Sequence, residues 1–330
     1  MSNNTSHTIH RLNEITTNIY RFTFPPLIIF GLIGHILDII IFTRPNLISN
    51  SCCNYFLTSS CVSIIQIVFG QLFRFLKGGY HIPIPVLWWC RARVFSLYST
   101  HLASTTLMTL ASADRYASSF YQVKYRRWAN VKIARRLIPI VLIISGLCRS
   151  HMLAFFVLDK DEEDECWAPR ATHYRLSFDS VFLIVHGIIF PVLMGIFGSL
   201  TVYNMRQRQR SEQQTGVSNL RLHRIRDFQR MTLVQTAWAI ALTLPFGIHK
   251  LHRTITHFDL KTPEKLAWER LSMSIVRLLW FFHDSAAFYI YSLSSVKFRH
   301  ELLKFLDEHL PRRIYGTQRT KKVFEILSIE

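Results

Sequence analysis

The chain is poor in charge and poorer in acid. Only 18% of its 330 residues are charged, and 39 Lys and Arg outnumber 21 Asp and Glu. No cysteine follows Cys166, which excludes palmitoyl anchoring of the C-terminal tail. Internal repeats and short broken spans, the marks of a transporter, are missing. No nucleophile stands with its base, so the chain is not read as an enzyme and no cofactor is expected. His249-x-x-His252 could begin a metal site, but no acid in its helix stands beside the pair, which reads as two rim histidines. Residues 1–21 are polar and hold no cleavable signal peptide; the first apolar run is long enough to act as a signal anchor.

What is there is apolar sequence in blocks. The hydrophobic share is 49%, grouped into seven runs near 22–42, 54–76, 87–113, 137–158, 177–203, 229–251 and 271–294. Each reaches or approaches the roughly 20 residues a spanning helix needs. The expected fold is an all-α membrane protein: a polar segment over 1–21, a seven-transmembrane helix bundle over 22–294, and an amphipathic helix with a tail over 295–330. The second run carries Ser and Thr and the sixth carries Gln235 and Thr236, residues that suit helix–helix faces.

Basic residues mark the orientation. Arg115, Lys124, Arg126, Arg127, Lys132, Arg135 and Arg136 lie between the third and fourth runs, and a second group from Arg206 to Arg226 lies between the fifth and sixth. The tail adds Lys297, Arg299, Lys304 and five more. The positive-inside rule makes these segments cytoplasmic and the N-terminus extracellular at the plasma membrane. Because the bases alternate with spans, anionic lipid or a cytoplasmic protein is the expected partner, not nucleic acid. Asn3 and Asn4 then head overlapping glycosylation sequons on the outer side. Cys52, Cys53, Cys61 and Cys148 fall in spans or at their inner ends and read as free thiols, whereas Cys90 and Cys166 share the outer side and are expected to pair.

Asp114-Arg115-Tyr116 ends the third run 24 positions after Cys90. At about 1.5 Å per helical residue that is about 36 Å, enough to cross a hydrocarbon core of about 30 Å. Seven spans, the outer cysteine, the Asp-Arg-Tyr and Cys166 downstream together resemble the rhodopsin-like (class A) G-protein-coupled receptors. Pro191 and Pro245 stand where that family bends its fifth and sixth helices. The stretch from Lys297 to Leu306 resembles its surface-lying eighth helix. The seventh span and its Lys297-Phe298-Arg299 exit resemble those of invertebrate neuropeptide receptors of the FMRFamide-like kind.

The chain also departs from the family pattern. His35 replaces the first-span Asn, Ile64 the second-span Asp, Leu242 and Thr243 the sixth-span Cys-Trp, and Ala287 and Phe288 the seventh-span Asn-Pro, of which only Tyr291 is kept. The resemblance implies a receptor that passes an extracellular signal to a heterotrimeric G protein through Asp114, Arg115, Tyr116 and Tyr291. Arg115 would be held by Asp114 until the sixth helix moves. The family's acidic lock partner falls at Ile225, with Asp227 the nearest acid.

Ionisable residues inside spans point to function because each is costly there. His35 and Asp38 in the first span and His283 and Asp284 in the seventh are expected to form an intramembrane polar network, structural or proton-sensing. By the family pattern Arg74 and Arg277 face the ligand cavity, with Tyr98, His101, Phe182, His186, His249 and Trp280 completing it. Leu97 and Phe281 stand where amine and retinal receptors carry Asp and Lys, which argues against both ligands. Paired arginines suit a peptide or small acidic ligand. The acidic run Asp159–Glu165 either steers a basic group to the mouth or is simply solvated. The alternatives are a transporter or channel, or a constitutive or proton-sensing receptor.

Overall fold

In a bilayer every backbone polar group must find its partner within the protein, so apolar runs of this length fold as helices. The computed structural model describes residues 2–82, 86–159, 165–169, 173–215, 220–256, 259 and 261–309; the side chains of 2–4, 159, 165, 208–215 and 220–229 fall outside that description. Helix α1 (Ser2–Asn18) passes through a π-helical turn at Ile19–Thr23 into α2 (Phe24–Phe42), whose first turn holds Pro25 and Pro26. The short α3 (Pro45–Ile48) leads to α4 (Ser51–Gln66), which runs on through π-helical segments at Ile67–Leu72 and Phe75–Gly79. Helix α5 (Leu87–Ser119) has 33 residues and so is about 50 Å long.

A turn, α6 (Val123–Arg126), precedes α7 (Val131–Arg149), which is capped by Asn130 and contains Pro139. After α8 (Met152–Phe155) the chain forms an antiparallel hairpin, β1 (Val157–Asp159) with β2 (Glu165–Trp167), in which Leu158 faces Cys166. Helix α9 (His173–Phe182) continues through a π-helical segment, Leu183–Ile189, into α10 (Phe190–Thr215). Helix α11 (Leu220–Ile255) contains Pro245. Helix α12 (Pro263–Ser285) breaks at Ala286 before α13 (Ala287–Ser294), and α14 (Val296–His309) ends the described chain.

The seven expected spans therefore appear as seven helical crossings, with α5 at the centre against α4, α7, α10 and α11. Five of them are long and apolar enough to cross a membrane on composition alone. The two exceptions, α5 and α12, carry the most chemistry. The polar N-terminal segment is itself helical: Leu12 and Ile9 of α1 pack on Ala267 and Leu271 of α12. The acidic run begins and ends in the hairpin strands, and its middle, 160–164, lies outside the described residues.

The molecule is apolar outside and polar at its waist. Ile29, Phe30, Ile33 and Ile36 of α2, and Ile140, Ile143, Ile144 and Leu147 of α7, are exposed side chains on helices of a membrane bundle, where lipid is the solvent. Inside are the two larger apolar cores of the described residues. One joins Cys90, Leu97, Tyr98, Phe182, Trp280 and Phe281; the other joins Ile41, Phe56, Leu107, Phe288 and Tyr291. Between them, on four helices, lie His35 and Asp38, Ser60 and Gln66, His101, and Asp284, all buried. Gly70 lets the α4 extension approach α12 closely, since a Cβ there would stand 2.8 Å from the Phe281 ring.

Candidate functional site

Two ends of the bundle hold the chemistry. At the first, Cys90 and Cys166 form a disulfide across 76 positions with Cα atoms 5.6 Å apart, tying β2 to the top of α5. Cys52, Cys53, Cys61 and Cys148 form no disulfide. Beside the hairpin a cavity of about 500 Å³ opens between α1, the end of the α4 extension, α11 and α12. Its lining includes Arg21, Arg74, Lys77, Arg253, Arg270 and Arg277, against a single acid, Glu14. Arg277 is only 5% exposed, and its Nη1 donates to the Tyr20 hydroxyl at 2.8 Å. Tyr20, in the π-helical turn after α1, in turn lies 2.8 Å from Ser274 Oγ, so that turn and α12 share the wall.

Arg74 and Arg277 also line a second, deeper chamber of about 30 Å³, together with Tyr98, Trp280, Asp179 and Lys250. Here α9 and α11 are joined by a buried ion pair. Lys250 Nζ lies 2.7 Å from Asp179 Oδ1, with side-chain exposures of 3% and 1%. Lys250 donates to the Tyr98 hydroxyl at 3.1 Å, and its ammonium lies 4.2–5.4 Å from the ring centres of Tyr98, Phe178 and Phe182. The Thr254 hydroxyl donates to the other Asp179 oxygen. A buried pair needs this many partners, because burial strips both charges of water.

Of the eight residues expected around the ligand, Arg74, Tyr98, Arg277 and Trp280 meet on these chambers. The other four are placed differently. Phe182 is buried beneath the chamber among Tyr98, His101 and Trp280. His101 lines a separate small cavity further down and faces His186, ring centres 4.5 Å apart. His186 lies 3.3 Å from an Arg149 nitrogen. His249 bonds Ser272 at 2.7 Å, joining α11 to α12.

The waist connects the chamber floor to the other end. His35 Nε2 lies 2.9 Å from the Asp284 carbonyl, and its Nδ1 lies 3.8 Å from Asp38 Oδ2. Ser60 donates to Asp38 at 3.2 Å, and Gln66 Nε2 reaches both Asp284 and His101. His283 Nε2 stands 4.0 Å from Asp284 Oδ1. In place of the usual sixth-helix tryptophan, Phe246, just after Pro245, stacks on Trp280 with ring centres 4.6 Å apart and planes 8° apart. Trp238 instead meets Phe282 on another face.

At the far end Asp114 and Arg115 are buried and paired. Arg115 Nη2 also donates to Asn50 Oδ1 at 2.8 Å. That same oxygen accepts from the Cys52 amide, because Asn50 caps α4. Tyr116 packs its ring against those of Phe120 and Phe197, linking α5 to α10. Tyr291 is buried among Phe42, Phe56 and Phe298. Asn3, Asn4 and Asp227 lie in helices, but their side chains are outside the described residues.

Sequence reasoning missed Asp179, Lys250 and Asn50. The first two fall inside expected spans, so the cost of an intramembrane charge was the signal that singles them out. Asn50 carried only a cap signal, and nothing in the chain order links it to Arg115. The model of a family described as 7 transmembrane receptor (rhodopsin family) matches residues 39–286. No curated protein matches the chain. With the match covering most of the chain, the helical crossings, the disulfide and the buried Asp114–Arg115 pair have one reading: the chain belongs to the rhodopsin family of seven-transmembrane receptors.

Proposed function

We propose that this receptor sits in the plasma membrane with its disulfide end outside, takes a peptide or small acidic ligand into the cationic cavity there, and activates a heterotrimeric G protein at its Arg115 end. The observation that carries the ligand class is the lining of the 500 Å³ cavity, six Lys and Arg against one Glu. A cavity so charged favours an anion from solution and holds carboxylates through paired guanidinium contacts. What supports the signalling end is the strapped Arg115. A guanidinium held by both Asp114 and Asn50 at the foot of α5 suits an element with two arrangements. Its release would break the contacts to Asp114 and Asn50 and offer the guanidinium to a partner helix, which outward movement of α11 would admit.

In this reading the signal passes from the chamber floor through the Trp280–Phe246 stack to α11, and through Gln66, His101 and Asp284 to the waist. That route replaces the family residues this chain lacks. Glycosylation at Asn3 and Asn4 belongs to the same topology, as do the basic segments and α14 on anionic lipid at the cytoplasmic face. The test is Arg115→Ala. Surface expression and ligand binding are expected to persist while agonist-stimulated nucleotide exchange on the G protein is lost. A variant that still signals fully would refute the assignment.

A further inference from the structure

The Asp179–Lys250 pair lies where an anionic ligand would arrive. Arg74 and Arg277 line both the outer cavity and the deep chamber, so an anion drawn to them already stands at the entrance to Lys250. The deep chamber, about 30 Å³, has room for little more than a water-sized group. A whole carboxylate or phosphate group does not fit beside Asp179 and can reach Lys250 only by taking that residue's place. Lys250 is prepared for such an exchange. Three aromatic rings and the Tyr98 hydroxyl hold its ammonium in position whichever anion faces it.

We propose that the ligand carries at least two anionic groups, one held at the Arg74–Arg277 entrance and one that displaces Asp179 from Lys250. The exchange breaks the polar clasp between α9 and α11, which among the described residues runs from Asp179 to Lys250 and Thr254, and leaves the ring contacts of Phe178 and Phe182 with α11 in place. Helix α11 runs unbroken from Lys250 past Pro245 toward the Arg115 end, so it carries the change in that direction. The ligand class here deepens the receptor reading above, but the exchange itself is a property of the binding site.

The full chain in lipid nanodiscs tests it without any G protein. The probes are a dye-labelled Glu-Glu-Glu peptide and inorganic tripolyphosphate, which separate a carboxylate source from a phosphate source. A labelled Lys-Lys-Lys peptide is the control. Asp179→Asn removes the competing anion and is expected to tighten binding of the anionic probes by about tenfold or more. Lys250→Gln is expected to weaken it by a similar factor. In the neutral pair Asp179→Asn/Lys250→Gln, which leaves no buried charge unpaired and so serves if Lys250→Gln alone fails to fold, binding is expected to fall about a hundredfold below Asp179→Asn. Lys250→Arg is expected to restore it in part.

Equal tightening by Asp179→Asn with and without Lys250 would mean a general charge effect and overturn the exchange. So would a preference for the Lys peptide. Nucleotide exchange on a G protein is measured separately. Anion binding with this mutational pattern but no nucleotide exchange leaves the site standing and removes the receptor function; nucleotide exchange insensitive to Asp179 and Lys250 does the reverse.

Discussion

Asn50 offers the sharpest test of the strap at the Arg115 end. Its side-chain oxygen serves two donors, the Arg115 guanidinium at 2.8 Å and the Cys52 amide at 3.2 Å. The first ties α5 to the start of α4; the second only caps α4. Substituting Asn50 by Ser separates them. Serine is as good a cap but too short to reach Arg115. A hydrogen bond to a charged group contributes about 1.5–3 kcal/mol. If Arg115 gives it up on activation, its loss shifts the balance between strapped and released forms by roughly ten- to a hundredfold. A receptor strapped by about a hundred to one would then lie between about ten to one and parity. Ligand-free nucleotide exchange on a purified G protein reads this directly, and basal activity is expected to rise severalfold or more with little loss of thermal stability. Asn50→Asp keeps the cap, adds a charge on Arg115 and is expected to lower basal activity. Unchanged activity in Asn50→Ser beside a rise in Asp114→Asn would show that Asn50 is only a cap. A rise in Asn50→Asp would refute the strap altogether.

Arg74→Ala and Arg277→Ala are each expected to reduce agonist potency by about tenfold or more, the worth of one charge-assisted contact. Dose–response curves at matched surface expression measure this, with an agonist drawn from a peptide-library screen; Arg277→Ala also removes one of the two hydrogen bonds at Tyr20, leaving that to Ser274. Loss of the disulfide in Cys90→Ser/Cys166→Ser releases a closed loop spanning 76 positions, which the chain-entropy relation values at about 4 kcal/mol. Thermal unfolding in detergent is expected to fall accordingly, and reductant is expected to lower the wild type but not the variant. A wild type indifferent to reductant would count against this.

Much of the fold was legible because lipid imposes a simple rule. A run of about twenty apolar residues must be a helix, and loop charge sets its direction. The same rule applies to the two crossings of lower hydropathy, α5 and α12, which bury Arg93, His101, Asp114 and Arg115, and Arg277 and Asp284. These six side chains face the bundle, not the lipid. The candidate site was less legible. Arg74, Tyr98, Arg277 and Trp280 share a cavity, but His186 and His249 serve other contacts. Spacing along one helix says which face a residue is on, not how deep the neighbouring helix sits.

From sequence alone came seven spans, the Cys90–Cys166 pairing and the Asp114–Arg115 foot of α5, while the family resemblance pointed Arg74 and Arg277 into the cavity. The first three follow from hydrophobic length, charge placement and the side of the membrane each residue falls on. Only the tertiary structure decided that Asp179 clasps Lys250 across 71 positions, that Asn50 straps Arg115, that α1 walls the cavity, and that Phe246 stacks on Trp280 where a tryptophan was missing. Each of these depends on the axial register between helices. Register is set by the summed packing of many side chains and a few close approaches such as Gly70 on Phe281, and no single stretch of sequence contains it.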